Sequence, residues 1–202
     1  MSAKLYFIQS PMNASKSASL LMKAHSFEER GIPFLCLKPS IDNRDGVDVI
    51  SSRIGIQRGC IAIDNGDDIF DYIKSLIYEY QLNAILPPKW LLVDESQFLT
   101  TQHVEQLAEV VDMLDINVMC YGLRTDFTTK LFEGAKRLME LADTIEEIKI
   151  SCGCGRKALI NARIDADGNV IVDGQQILIG GNDRYIPLCR KCFKDALNRK
   201  QK

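Results

Sequence analysis

Short apolar runs recur at Leu5 to Ile8, Phe34 to Leu37, Trp90-Leu91-Leu92-Val93, Val118-Met119-Cys120-Tyr121 and Thr144 to Ile150. Each is brief and bounded by polar or turn-forming residues, which predicts strands. Between them lie longer stretches with apolar residues at helical spacing. Ser17 to Arg30 carries Leu20, Leu21, Ala24 and Phe27, and it is followed by Asp68 to Tyr80, Thr101 to Leu114 and Thr129 to Leu141. Strands alternating with helices predict an α/β fold, a mainly parallel sheet flanked by helices on both faces. After about residue 150 turn signals crowd in, at Cys152-Gly153-Cys154-Gly155, Asp167-Gly168-Asn169, Asp173-Gly174 and Gly180-Gly181-Asn182-Asp183. They surround short pieces such as Val170-Ile171-Val172 and Ile177-Leu178-Ile179. This texture predicts a small all-β module too small to be stable on its own core. The expected organisation is an α/β domain over residues 1–149 and a β-rich domain over 150–202.

Composition narrows the setting. A chain of 202 residues, 46% of them hydrophobic, supports a sizeable core without disulfides. The net charge of −2 comes with no long basic run apart from Arg199-Lys200-Gln201-Lys202. The electrostatic footprint of a nucleic-acid binder is absent, and a small diffusing substrate fits better. No apolar stretch approaches a membrane span, and the first residues lack the basic and apolar regions of a secretion signal. The expectation is a cytoplasmic protein with no nucleic-acid or membrane partner.

The apolar run at Leu5 to Ile8 leads into Ser10-Pro11-Met12-Asn13-Ala14-Ser15-Lys16-Ser17 and then a helical stretch. That is the strand, loop, helix order and the spacing of a nucleotide-binding P-loop, G-x-x-x-x-G-K-[ST], with serines at both glycine positions. In such a loop backbone N–H groups cradle phosphate oxygens, placing Lys16 on the β- and γ-phosphates and the Ser17 hydroxyl on Mg²⁺. A plain strand-turn-helix capped by serine is the competing reading. Leu91-Leu92-Val93-Asp94-Glu95 has the form of a Walker B strand, with Asp94 placed to meet Mg²⁺ and Glu95 left to act as a base. Arginines follow the second strand in Asp42-Asn43-Arg44 and Ser51-Ser52-Arg53, where they either stabilise a phosphoryl group or belong to a solvated loop. His25, His103 and Trp90 read as structural.

The seven cysteines divide by spacing. Cys36, Cys60 and Cys120 stand singly among apolar neighbours and read as buried reduced thiols. Cys152-x-Cys154 and Cys189-x-x-Cys192 are two thiolate pairs bracketing a β-rich segment, the donor set of a closed, structural zinc site. A disulfide pair is the competing reading.

Taken together, Ser10 to Ser17, Asp42-Asn43-Arg44, Asp94-Glu95-Ser96-Gln97-Phe98, Tyr121-Gly122-Leu123-Arg124-Thr125-Asp126-Phe127 and Ile179-Gly180-Gly181-Asn182-Asp183-Arg184-Tyr185 with Cys189-Arg190-Lys191-Cys192 resemble type II, zinc-containing thymidine kinases. The resemblance runs the length of the chain, and the tight Cys-x-Cys pair is similar to the enteric-type bacterial branch. It implies a P-loop NTPase-like sheet with a zinc-binding lasso. The implied reaction is transfer of the ATP γ-phosphoryl to the 5′-hydroxyl of thymidine, and more weakly of deoxyuridine, giving dTMP in nucleotide salvage. It implies Glu95 as the catalytic base. Residues Ser10 to Ser17, Arg44, Asp94, Glu95, Ser96 and Gln97 would meet ATP and Mg²⁺. Met12, Leu123, Phe127, Gly180, Gly181 and Tyr185 would meet thymidine, and Cys152, Cys154, Cys189 and Cys192 would hold zinc. A homotetramer and feedback inhibition by dTTP are implied as well. Two departures from the pattern are the stretch Pro87-Pro88-Lys89-Trp90, which is unlike the branch and has no obvious catalytic meaning, and Ser15, where the family has glycine. A second reading is therefore a zinc-ribbon P-loop protein that binds nucleotide with little turnover.

Overall fold

Strand β1 (Leu5–Ser10) is apolar on both faces, as a strand covered on both sides must be. In this computed structural model, which describes residues 2–176 and 184–199, it is followed by α1 (Lys16–Glu29), β2 (Phe34–Pro39), a hairpin of β3 (Val49–Ser51) and β4 (Gln57–Gly59), and β5 (Ile61–Ile63). Then come α2 (Ile69–Leu82), β6 (Trp90–Val93), a 3-10 turn (Ser96–Phe98), α3 (Thr101–Leu114), β7 (Asn117–Leu123), α4 (Glu133–Leu141) and β8 (Thr144–Glu147). Among the described residues these strands build a six-stranded sheet in the order β5-β2-β6-β7-β1-β8, with every pairing parallel.

Alternation along each strand splits the core in two. Leu5, Phe7, Leu91, Val93, Val118 and Cys120 face α2, α3 and α4, whose Ile73, Leu107, Val110 and Leu138 complete one layer. Ile8, Leu92, Met119 and Tyr121 face α1, which answers with Leu20, Leu21, Ala24 and Phe27. Trp90 is half-buried at the edge of this second layer, its ring 5.1 Å from Phe27 and 5.9 Å from Tyr6. Two helix starts follow from their caps: the Asp68 carboxylate accepts from the Asp71 amide at 2.9 Å, and the Thr100 hydroxyl from the His103 amide at 3.1 Å.

The C-terminal region adds β9 (Ile160–Ile164), β10 (Val170–Ile171) and β11 (Tyr185–Leu188), an antiparallel sheet ordered β10-β9-β11, and a helix α5 (Arg190–Arg199). The region is therefore β-rich but not all-β. Residues 177–179, expected to be extended, lie outside the described residues.

Three other expectations are corrected. The helix expected from Thr129 begins at Glu133, because the Asp126 carboxylate captures the Thr128 and Lys130 amides at 2.8 and 3.0 Å and closes a turn in place of the first helical turn. The strand expected to reach Ile150 ends at Glu147, where β1 offers its last partner in Gln9. Cys36 and Cys120 are buried as expected, whereas Cys60, just before a short strand at the sheet edge, is only half-buried.

Candidate active site

The loop after β1 closes on itself. Ser10 is buried and its hydroxyl donates to the Pro11 carbonyl at 2.9 Å. Lys16 curls back so that Nζ donates to the same carbonyl at 3.2 Å. Asn13 and Ser15 both take the left-handed conformation, at φ 64 and φ 57. Ser15 occupies the cap position of α1, yet its side chain makes no capping bond. The backbone geometry that glycine favours is thus present with serine in it, at a cost on the order of 1–2 kcal/mol. Burial presses the Lys16 ammonium below its ordinary pKa, against the opposing pull of the Glu95 and Asp94 charges.

Strand β6 delivers those two carboxylates. Asp94 is buried, and its carboxyl is pushed up to about 7, first by burial and then by the Glu95 charge, with the Ser17 hydroxyl pulling the other way. Among the described residues Asp94 Oδ1 has no hydrogen-bond donor. Glu95 is also left-handed, at φ 48, which turns the chain sharply into the 3-10 turn. Its Oε1 accepts from Arg44 Nη2 and its Oε2 from Gln97 Nε2, both at 2.5 Å. Arg44 also grips Asp42 through Nε at 2.6 Å and Nη2 at 3.1 Å. Burial opposes its charge, but Asp42 and Glu95 outweigh burial and raise the guanidinium above its ordinary pKa. Gln97 Oε1 in turn accepts from the Leu123 amide at 2.9 Å. The Glu95 carboxylate is therefore held on both oxygens.

These groups line one cavity of about 430 Å³. Met12 to Ser17, Arg44, Asp94, Glu95 and Gln97 form one part of its wall, and Leu123, Phe127 and Tyr185 another. Ser10, Pro11 and Ser96 are buried outside the lining. Ser96 is fully covered, and a Cβ on Gly122 would come within 2.5 Å of its Oγ, so β7 approaches the 3-10 turn at a distance only glycine permits. Gly180 and Gly181 lie outside the described residues.

Two residues at the site escape the sequence reading, Asn161 in the cavity wall and Arg163 against the lining residues Phe127 and Tyr185. Asn161 of β9 is 3% exposed; its Oδ1 accepts from the Met12 amide and its Nδ2 donates to the Thr125 carbonyl, both at 2.7 Å. Arg163, 6% exposed, lays its guanidinium carbon 3.7 Å from the centre of the Phe127 ring and donates to the Tyr185 hydroxyl at 2.9 and 2.6 Å. The signal was present in Ile160-Asn161-Ala162-Arg163-Ile164, where polar residues alternate with apolar ones. Here both faces are buried, and the polar one places Asn161 in the cavity wall and Arg163 against Phe127 and Tyr185.

At the other end of the β9–β11 pair, beyond the Leu188–Ile160 pairing, the sulphurs of Cys152, Cys154, Cys189 and Cys192 lie within 4.8 Å of one another. Backbone amides of Cys154 and Cys189 hold the Cys152 thiol down to about 6. Four convergent thiols, one already favouring its thiolate, suit a soft tetrahedral ion and could hold zinc.

A six-stranded parallel sheet, a lysine-serine loop at the end of β1 and a carboxylate pair at the end of β6 together define a P-loop NTPase-like protein. The chain belongs to the thymidine kinase family, whose profile matches residues 3–193. It is 46% identical over 195 residues to the thymidine kinase of Rhodopirellula baltica, covering 96% of this chain and 90% of that one. Similarity to the thymidine kinase of Mannheimia succiniciproducens is 46% over 192 residues, 95% of each chain. For the Vibrio cholerae thymidine kinase it is 46% over 197 residues, 98% of this chain and the whole of the relative.

Proposed function

We propose that this protein transfers the γ-phosphoryl group of ATP to the 5′-hydroxyl of thymidine, yielding ADP and dTMP. The observation that carries the reading is the meeting of Lys16, Asp94 and Glu95 with Leu123, Phe127 and Tyr185 around one cavity, in a chain of the thymidine kinase family. The loop amides and Lys16 hold the β- and γ-phosphates. Glu95 accepts the 5′-hydroxyl proton as the new O–P bond forms, and ADP leaves with the electrons of the broken P–O bond. Arg44 and Gln97 fix the carboxylate in the place where that proton arrives. Thymine lies against Phe127, with Met12, Leu123 and Tyr185 around it.

The donorless Asp94 Oδ1 beside the Ser17 hydroxyl fits a divalent cation entering with ATP. Mg²⁺ there supplies neutralisation of phosphate charge. Zinc on the four cysteines is structural and ties the ends of a β-rich domain, 150–202, to an ATP-binding domain, 1–149. In this reading Gly180 and Gly181 meet the thymine edge, dTTP is a feedback inhibitor, and the protein works as a cytoplasmic homotetramer in nucleotide salvage. Deoxyuridine is a poorer substrate by the worth of one methyl group, about 1–3 kcal/mol.

The test is ADP release by zinc-loaded protein with MgATP, with and without thymidine. Thymidine-dependent release at a rate well above the ATPase background is expected, with dTMP recovered in equal amount. Turnover indifferent to thymidine would reject the reading.

A further inference from the structure

The cavity holds two arginines in opposite circumstances. Arg44 is committed to carboxylates: Asp42 takes two of its N–H groups and Glu95 a third. Its charge is spent on carboxylates that are already there. Arg53 also lines the cavity, but its guanidinium makes one hydrogen bond, Nη2 to Asn13 Oδ1 at 2.7 Å, and Asn13 is neutral. Among the described residues no carboxylate pairs with Arg53. Lys16 and Lys38, the cavity's other cations, are engaged as well. Lys16 is folded onto the Pro11 carbonyl, and Lys38 donates to the carbonyls of Gly46 and Val49, both at 2.7 Å.

The support under Arg53 is firm. It sits at the tip of the β3–β4 hairpin, where the Ser52 amide donates to the Ile56 carbonyl and the Gly55 amide to the Ser52 carbonyl, both at 2.9 Å. Gly55 takes φ +84 to close that turn. Below the tip, Ile50 is buried in the α1 layer and the Lys38 bonds pin the strand and the chain leading to it. A buried lysine thus holds the hairpin so that its terminal arginine lies against the middle of the phosphate loop. Asn13 Oδ1 is a weak partner for a guanidinium. A phosphate oxygen gives a charge-assisted bond about twice as strong, and two oxygens on one phosphorus match the fork of the side chain.

We propose that Arg53 leaves Asn13 when ATP binds and grips the γ-phosphoryl group, where it stabilises the charge that spreads over the transferring oxygens. It is thereby a catalytic residue of the reaction proposed above, and it brings a charge that, unlike that of Arg44, is not already paired with carboxylates. Bond making and breaking are unchanged. Arg53 neither gives nor takes a proton; it supplies donors and charge.

The test compares wild type with Arg53→Ala and Arg53→Lys. MgATP and MgADP binding are measured by calorimetry without thymidine, thymidine binding is measured alone, and kcat is taken from ADP release. Wild type should prefer ATP to ADP. In Arg53→Ala that preference should shrink about 10-fold or more, as expected for losing a charge-assisted bond to the terminal phosphate. The kcat should fall about 100-fold or more, while thymidine affinity stays within twofold. Arg53→Lys should recover part of the ATP preference but little of kcat, because a point charge lacks the fork. The assignment is overturned if ATP and ADP weaken equally in Arg53→Ala, or if both the ATP preference and kcat stay within twofold of wild type. The proposal rests on the phosphotransfer reading, yet the two fail separately. Absent thymidine-dependent turnover in wild type rejects that reading, while the ATP-to-ADP ratio in the variants still reports whether Arg53 meets the terminal phosphate.

Discussion

Ser15 and Glu95, one on the phosphate loop and one at the end of β6, both hold left-handed backbone that ordinary residues avoid. Strain of this kind persists where the surrounding structure over-determines it, and here it aims a run of amides and a carboxylate into the cavity. Because Ser15 already adopts the conformation expected of glycine, Ser15→Gly has little to repair. It should raise unfolding stability by up to about 1 kcal/mol in urea titration, while kcat and the KM for ATP change less than about threefold. A large gain in turnover would mean instead that the serine side chain obstructs phosphate. Glu95→Gln keeps the shape and removes the proton acceptor. It should lower kcat by about 10²–10⁴-fold and leave thymidine binding within a few-fold by calorimetry. His103 belongs to stability rather than catalysis. Burial depresses its pKa below the ordinary 6.5, with the Asp67 backbone opposing. Its contribution is therefore complete above that ordinary value and is lost as the pH falls toward the depressed one, when the unfolded chain takes up a proton the folded chain resists. Chemical unfolding at pH 7.5 and 5.5 should show a smaller loss of stability for His103→Leu than for wild type.

Elements meet at the site through a few close joints. The tightest joins β7 to the 3-10 turn at Gly122. Gly122→Ala drives a methyl against Ser96 and Gln97. It should cost roughly 1–3 kcal/mol and, by displacing Gln97, loosen Glu95, so that kcat falls more than the KM for either substrate rises. A second joint is Asn161, which carries β9 to Met12 and Thr125. Asn161→Leu leaves a buried amide and a buried carbonyl without partners, about 1–3 kcal/mol each. Steady-state kinetics should show a raised thymidine KM before any loss of kcat at saturating nucleoside. These joints also explain what the sequence disclosed. The parallel strands and their helices were legible because strands buried on both faces read as apolar runs, and the phosphate loop because its lysine and serine come at fixed spacing. Strand β9 was missed although its alternation was there to read, since Asn161 and Arg163 break the continuous apolar run that marks the strands of the large sheet. Strand β5 is three residues long and carries too little pattern. The α5 helix was hidden because, outside Cys192, Phe193, Ala196 and Leu197, it is polar or charged.

At the scale of the molecule, the four-cysteine cluster and the nucleoside-facing Tyr185 sit at opposite ends of one short strand pair, β9–β11. Stripping a metal from these four cysteines should therefore reach the nucleoside wall and spare the phosphate loop, whose sheet contains none of the four. Chelation is expected to lower the thermal midpoint and weaken thymidine binding at least tenfold, with ATP affinity changed less than threefold; restoring zinc should reverse it. The cavity's catalytic wall, by contrast, depends on the order of strands in the large sheet. Strand β1 lies between β7 and β8, both later in the sequence, so Leu5 pairs with Val118 and Tyr6 with Thr144. On the ribosome the phosphate loop must wait on the order of ten seconds for those neighbours at ordinary elongation rates. By then Asp94 and Glu95 have already been translated. Asn161 and Tyr185 come later still, so the carboxylates precede the sheet neighbours of the phosphate loop and the nucleoside side of the cavity is completed last.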